Sequence, residues 1–410
     1  MRVLLSAIGS DGDVEPFLAL GQRLRAAGHQ PLLASGDRFA ARAAALGVAF
    51  VQVGSPWDQA LAEETFARVL ALRSPLAQLT LITQVLADLQ REMVPDLLRL
   101  ARDTDVIVYP PTAIASAAVA RKTNTPHVSV QFAPMRRAVL YSPTGANYGR
   151  LINRALWSIA GGVLARATDP VLNQVVQSAG LAAWRDIVLD AGHSSALDLV
   201  AVSPAVVEAD PTWPAAMQFT GYWFTDEAGW TPDAALEKFV CEAEPPLVIG
   251  FGSMLGMDVR ATTARIMEAA SGLHRKVVLQ GGWAGLGAGA LPPNVHLAGF
   301  VPHAWLFSRA AAVIHHGGAG TTAAALRAGI PQAIAWHLGD QAIWGLKVAQ
   351  LGVGPKARSY RQADATWLRS VGRRLLEDET LRACAQQFGQ RIRAEDGVGK
   401  AVHAIEQLVR

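Results

Sequence analysis

Cysteine is scarce in this sequence. Its two cysteines, Cys241 and Cys384, lie far apart and form no CxxC pair or Cys/His cluster. That excludes a disulfide framework and a zinc site of ordinary spacing. Charge is scarce too: 17% of the 410 residues are Asp, Glu, Lys or Arg, and the formal net charge is only +3. No basic stripe interleaved with aromatics runs along the chain, so the footprint of a nucleic-acid binder is missing. Apolar runs stay short of the roughly 18 residues a membrane-spanning helix needs. The opening Met1-Arg2-Val3-Leu4-Leu5-Ser6 is interrupted by Gly9-Ser10-Asp11-Gly12-Asp13 and does not read as a signal peptide. The expectation is a cytoplasmic protein with no nucleic-acid partner and at most peripheral membrane contact. Two phosphate-binding signatures are absent as well. No Gly-Lys-Ser/Thr closes a P-loop, and Gly9 to Gly12 does not supply the GxGxxG of a dinucleotide site.

Apolar bulk is plentiful. Hydrophobic residues make up 51% of the chain, enough to fill large cores and too much for disorder. A single core stops growing near roughly 250–300 residues, so the length points to two domains.

The order of elements supports this. Val3 to Ile8 reads as a strand and is followed by a Gly/Asp turn. Phe17, Leu20 and Leu24 then show helical spacing in a helix opening at Pro16, and Gly28 stops it. Pro31 to Ser35 is a second strand, with another helix from Asp37. Asp105 to Tyr109 and His127 to Gln131 are further strands, flanking an Ala-rich helix through Ala120. A second series begins late. Pro246 to Phe251 is a strand, then a helix lies near Thr262 to Ser271. Lys276 to Gln280, Val295 to Leu297 and Ala312 to His315 follow as strands. Strands alternating with helices imply parallel sheets covered on both faces. The fold class is therefore α/β, with two separate doubly wound units. Prolines fix the backbone and stop helices. The Pro- and Trp-bearing stretch 224–245 reads as the linker between an N-terminal domain 1–223 and a C-terminal domain 246–390. The remaining 391–410 reads as a helix packing back on the N-terminal domain. The stretches 56–100 and 145–185 are helical and apolar on one side (Trp57, Leu70, Leu72, Leu79, Leu81, Trp157, Leu164). They form either ordinary core or an apolar acceptor pocket.

The strongest local signal is Ala312 to Leu326, where a short apolar strand runs into His315-His316-Gly317-Gly318-Ala319-Gly320-Thr321-Thr322 and an Ala-rich helix. Glycines let backbone N–H groups approach a ligand. A helix N-terminus adds unpaired donors and a partial positive charge, together a phosphate cradle. Thr321 and Thr322 can donate hydroxyl hydrogen bonds or cap the helix, and His316 can donate to a phosphate oxygen. The plainer alternative is a tight strand-to-helix turn and nothing more.

His315 to Leu326, Gly329-Ile330-Pro331-Gln332 and Gly339-Asp340-Gln341-Ala342-Ile343-Trp344-Gly345 resemble the donor-binding signature of family 1 glycosyltransferases. Those enzymes have the GT-B fold, two Rossmann-like domains facing a cleft. The subgroup most similar is the bacterial antibiotic and sterol glycosyltransferases. Gly9 to Phe17, Phe251-Gly252-Ser253 and Gly299 to His303 resemble their turns and strand ends in the same order. The resemblance implies a nucleotide-sugar donor, UDP- or dTDP-linked, and a lipophilic small-molecule acceptor. His316, Gly317, Gly318, Gly320, Thr321 and Ser253 would hold the diphosphate. Phe300, Val301 and His303 would border the base, and Trp283 would stack on it or pack plainly. Asp340 and Gln341 would bind sugar hydroxyls, and Ser10 and Gly12 would line the N-terminal turn. Two positions depart from the pattern. Ala324 stands where plant relatives carry a ribose-binding Glu, and Trp336-His337-Leu338 stands where relatives have Pro-Phe.

An inverting transfer needs a base for the acceptor hydroxyl. Asp13 is the candidate, since it follows the first strand, where open α/β sheets place their ligands. The competing reading makes Asp13 the N-cap of the helix at Pro16. Asp11-Gly12-Asp13 also spells the DxD of metal-dependent transferases. A diphosphate with its own helix terminus needs no metal, so no metal or other cofactor is expected. The rival functions are a nucleotide-sugar epimerase and a non-catalytic sugar-nucleotide binder.

Overall fold

The computed structural model describes residues 1–55, 64–65, 68–69, 71–72, 74–225, 230–242, 244–252, 258–281, 291–337 and 339–410. Ser253 and Trp283 of the candidate site lie outside the described residues, as do Trp57, Leu70 and Leu338. The chain divides into two compact units, one of Met1–Asp226 with Asp396–Arg410, the other of Glu227–Glu395.

The first unit is built on a parallel sheet. Its strands are β1 (Arg2–Ser6), β2 (Gln30–Ser35), β3 (Ala49–Gln52), β4 (Val106–Tyr109), β5 (His127–Gln131), β6 (Asp198–Val200) and β7 (Met217–Phe219). Their order is β3-β2-β1-β4-β5-β6-β7. Alternation sorts the side chains. Val3, Leu5, Val106 and Val108 enter one core, and Leu4, Ile107 and Tyr109 enter the other, as a strand buried on both faces requires. The first core is covered by α1 (Asp11–Ala26), with α2 (Ala40–Ala45) beside it. The second is covered by α3 (Pro75–Ala101), α4 (Ile114–Thr123) and α5 (Arg150–Ser178).

The second unit repeats the plan. Its strands are β8 (Leu247–Gly250), β9 (Val277–Gln280), β10 (Val295–Ala298), β11 (Ala312–His315), β12 (Gln332–Trp336) and β13 (Arg358–Ser359), in the order β10-β9-β8-β11-β12-β13. Its helices are α6 (Ala234–Cys241), α7 (Val259–Ser271), α8 (His303–Phe307), α9 (Ala319–Ala328), α10 (Gln341–Gln350), α11 (Ala365–Glu377) and α12 (Glu379–Arg393). The last helix, α13 (Gly397–Val409), belongs to the first unit, where Ala401, Val402 and Ile405 join the core beside α1.

Three details differ from the sequence expectations. The first helix begins at Asp11, not at Pro16. Ser10 caps it, and Pro16 lies inside it at the cost of one backbone donor. The stretch 224–245 carries α6, whose Leu236 and Val240 pack with Val248 and Val278 of the second unit. The apolar stripe of 145–185 is core only in its second half, where Leu172, Val175 and Val176 join the second core. Trp157 and Leu164 are half-buried. On α5, Leu151, Ile159 and Val163 face outward, with Leu151 81% exposed. Periodicity marks a stripe but does not say which side of the helix the protein covers.

Candidate active site

In each sheet the strand order reverses once, between β1 and β4 in the first unit and between β8 and β11 in the second. Open α/β sheets bind ligands beyond the carboxyl ends of the strands at such a point. The two turns singled out in the sequence follow β1 and β11, at the switch points, while Phe300 to His303 follow β10 at the sheet edge and Asp340 and Gln341 follow β12.

In the second unit, His315 ends β11 and the chain passes through Gly317, at φ +92°, into α9. Gly318 is the N-cap, and among the described residues no side chain caps the helix. The first helical bond runs from the Thr322 N–H to the Gly318 carbonyl at 2.9 Å. The N–H groups of Ala319, Gly320 and Thr321 precede it and are the orphan donors of the first turn. With the partial positive charge of the helix end, they have the arrangement that suits an anion. Thr322 takes no part in it, because its hydroxyl donates to the Gly318 carbonyl at 2.9 Å. Gly317 is excluded as well, because its N–H donates to His315 Nδ1 at 3.1 Å.

The glycines of the turn have different reasons. A Cβ at Gly317 would lie 2.7 Å from Ile334 Cγ2. One at Gly318 would lie 2.5 Å from His316 Nε2, and one at Gly252 would lie 2.9 Å from His316 Cε1. Gly252 and Gly318 thus make room for the His316 ring, which lies between them. Gly320 is exposed, and among the described residues nothing stands within 4 Å of its would-be Cβ.

His316 Nδ1 is buried and has no hydrogen-bond partner among the described residues. Burial, followed by His315, His337 and His303, pushes its pKa down to about 3. At neutral pH the ring is therefore an uncharged hydrogen-bond donor and acceptor. His303 opens α8 and stacks on Phe307 at 4.7 Å, and burial pushes it down to about 4. Phe300 is 68% exposed. Val301 is buried, and its carbonyl accepts from Gln280 Nε2 at 3.4 Å.

Asp340 and Gln341 stand at the start of α10. Asp340 Oδ2 accepts from Trp344 Nε1 at 2.9 Å, and desolvation raises its pKa above the usual carboxylate value. Gln341 is buried, and its Oε1 accepts the His337 N–H at 2.8 Å. His337 itself stacks on Tyr360 at 4.2 Å, with Phe251 edge-on. The departure from Pro-Phe at 336–338 thus builds part of an aromatic base beneath the loop.

In the first unit, Asp13 Oδ2 accepts from the Ser10 N–H at 2.7 Å and from Ser10 Oγ at 2.8 Å. This is a capping box, with Asp13 at its third helical position. Asp13 is not the N-cap, because the helix starts earlier than the proline suggests. Gly9, at φ +128°, has no space for a Cβ, which would lie 2.4 Å from Asp13 Oδ2. Gly12 is exposed, and a Cβ there would make only an ordinary contact with Ser10 Oγ at 3.6 Å. Sequence reasoning missed Arg38, which donates to Asp11 Oδ1 at 3.0 Å and to the Gly9 carbonyl at 2.8 Å. No local pattern links residues so far apart. Among the described residues, no three His, Cys, Asp or Glu side chains are grouped to hold a metal.

The architecture, two parallel Rossmann-like units each carrying a turn at its switch point, is that of the GT-B fold. Solved structures agree. CalG4, the calicheamicin glycosyltransferase, aligns with a TM-score of 0.72 over 100% of this chain and 98% of its own, at 21% identity. The glycosyltransferase VinC in complex with dTDP aligns with a TM-score of 0.71 over 100% and 99%, at 20% identity. Residues 3–98 match the glycosyltransferase family 28 N-terminal domain. Residues 264–408 match the C-terminal domain of the erythromycin biosynthesis protein CIII-like family. The chain is 29% identical to O-mycaminosyltylonolide 6-deoxyallosyltransferase of Streptomyces fradiae, over 99% of its length and 97% of the relative's. It is 32% identical to sterol 3-beta-glucosyltransferase of Emericella nidulans over 99% of its length, but spans only 30% of that protein. The two ends of the chain thus match glycosyltransferase family models, its fold is GT-B, and it is similar in sequence to these named transferases.

Proposed function

We propose that the chain moves a sugar from a UDP- or dTDP-sugar to a hydroxyl of a lipophilic small molecule, with inversion at the anomeric carbon and without a metal. The observation that carries this reading is the uncapped N-terminus of α9 at the switch point of the second sheet, with Gly320 open to solvent. In the reaction the acceptor oxygen bonds to the anomeric carbon and its proton passes to Asp13. The bond from the anomeric carbon to the phosphate oxygen breaks, and its electron pair leaves on the diphosphate. The N–H groups of Ala319, Gly320 and Thr321 and neutral His316 stabilise that developing charge. A helix terminus supplies what a divalent ion supplies elsewhere, so turnover is expected to persist in EDTA. Strict dependence on added Mn²⁺ would sink this part of the proposal. The acceptor class follows the relatives, which carry sterol and macrolide names. Donor choice is read by which of UDP-glucose, UDP-N-acetylglucosamine or a dTDP-deoxysugar raises the melting temperature.

The capping box favours a second reading of Asp13, as a residue that only holds the turn. Asp13→Asn keeps an acceptor for Ser10 but removes the base. On our reading it lowers kcat by about 10²–10⁴-fold while donor affinity stays. Wild-type turnover in Asp13→Asn would leave Asp13 a purely structural role.

A further inference from the structure

We propose that His315 and Gln332 are positioning residues of the donor site, forming a buried clamp that sets the aim of the N–H groups between Gly317 and Thr322. The inference rests on the reading of that turn as a diphosphate site.

The chemistry of the clamp is dictated by its partners. His315 is fully buried. Its Nδ1 faces the Gly317 N–H at 3.1 Å. A backbone N–H can only donate, so Nδ1 carries no hydrogen and the imidazole proton sits on Nε2. Nε2 then donates to Gln332 Oε1 at 2.9 Å. With its oxygen so engaged, Gln332 directs its amide nitrogen to the Thr322 carbonyl at 3.5 Å. One chain of hydrogen bonds therefore grips the residue before the cradle and the first closed turn after it. Gly318 to Thr321 lie between the two grips.

The clamp does two things for the cradle. It removes the Gly317 N–H from the set that a ligand can use, leaving the donors that point out of α9. It also ties the start of α9 to β12 from the buried side, so those donors are preset before a ligand arrives. Preset donors cost no reorganisation when charge develops. Burial keeps His315 neutral, pushing its pKa down to about 4, as an accepting Nδ1 requires.

Two substitutions separate the functions of the ring. His315→Asn places an oxygen where Nδ1 was and can still accept from Gly317. His315→Gln reaches toward Gln332 but offers Gly317 no acceptor. Isothermal titration with UDP and with dTDP should find the Asn variant, which keeps the Gly317 grip but loses the link to Gln332, about three- to fivefold weaker than wild type. The Gln variant should be weaker by about tenfold or more, with both melting close to wild type. Wild-type affinity in the Gln variant overturns the clamp. So does a loss in both variants that only follows their melting temperatures. If the variants do not fold, the wild-type protein still decides. ¹⁵N imidazole spectra should show one histidine with bare Nδ1 and protonated Nε2, unchanged between about pH 6 and 9. A His315 carrying its hydrogen on Nδ1 refutes the proposal. If the wild-type protein binds neither nucleotide, the donor-site reading fails instead, while the tautomer spectrum still tests the clamp on its own.

Discussion

At the scale of single residues, the glycines of the turn before α9 look alike in sequence but answer different constraints. A Cβ at Gly318 would lie 2.5 Å from the His316 ring, whereas one at Gly320 meets nothing within 4 Å among the described residues. Gly318→Ala is expected to displace His316 and lower the melting temperature. Gly320→Ala should leave stability within about 1 kcal/mol of wild type yet weaken donor binding, because the new methyl occupies the ligand's approach. Parallel melting curves and nucleotide titrations check both. The histidines make a second prediction. His315 titrates at about 4 when folded, against an ordinary value of 6.5. Between those values the unfolded chain binds a proton that the folded residue refuses. Stability is therefore intact above 6.5 and falls as the pH drops through the window, by up to about 1.4 kcal/mol per pH unit for this residue. His303, His316 and His337 shift in the same direction, while the raised pKa of Asp340 opposes them. Thermal unfolding at pH 5 and pH 7 should show the lower midpoint in acid. An equal midpoint would mean that these rings take up protons without cost.

At the scale of elements, helix starts show how function departs from stability. Asp233, Asp258, Asp364, Asp378 and Asp396 each accept a backbone N–H at the start of a helix, which satisfies orphan donors. The α9 helix has Gly318 in that position and leaves them open. Replacing Asp396 by Ala should cost about 1 kcal/mol, read from denaturant unfolding, since it also breaks the exposed contact with Arg23 at 2.9 Å. Much of this layer is legible in the sequence. The strands at Val3, Val106, Leu247 and Ala312 announce themselves by apolar runs, and the turn after His315 by its glycines. The start of the first helix is harder to read, because Pro16 resembles a first-turn proline, whereas the capping box of Ser10 and Asp13 opens the helix earlier. The pairings His315–Gln332 and Arg38–Asp11 are not legible. They join residues 17 and 27 positions apart in sequence, and only the parallel strand order brings such residues together. The outward face of α5 is likewise hidden, since the same spacing serves a buried or an exposed stripe.

At the scale of the whole molecule, the chain leaves the first unit near Asp226, builds the second, and returns at Asp396. The returning helix is part of the first core through Ala401, Val402 and Ile405, and His29 Nε2 meets Glu406 Oε1 at 2.9 Å. Burying a side chain such as Val402 or Ile405 contributes about 1.5–3 kcal/mol. A chain stopped after Glu395 should therefore lose several kcal/mol from its first unit while its second unit keeps its own core. Limited proteolysis should cut the first unit early in that truncated chain. Equal protease resistance of the two chains would show that α13 is dispensable.

The return of α13 also has a consequence in time. During synthesis the first 226 residues emerge without the helix that completes their core, and the whole second unit must be made before it appears. At about 5–20 residues per second, translation of the intervening stretch takes roughly 8–34 s. For that interval the face of α1 that α13 will cover stays open to water. Apolar surface left open in this way is what chaperones guard, and the ribosome's pace sets how long it waits.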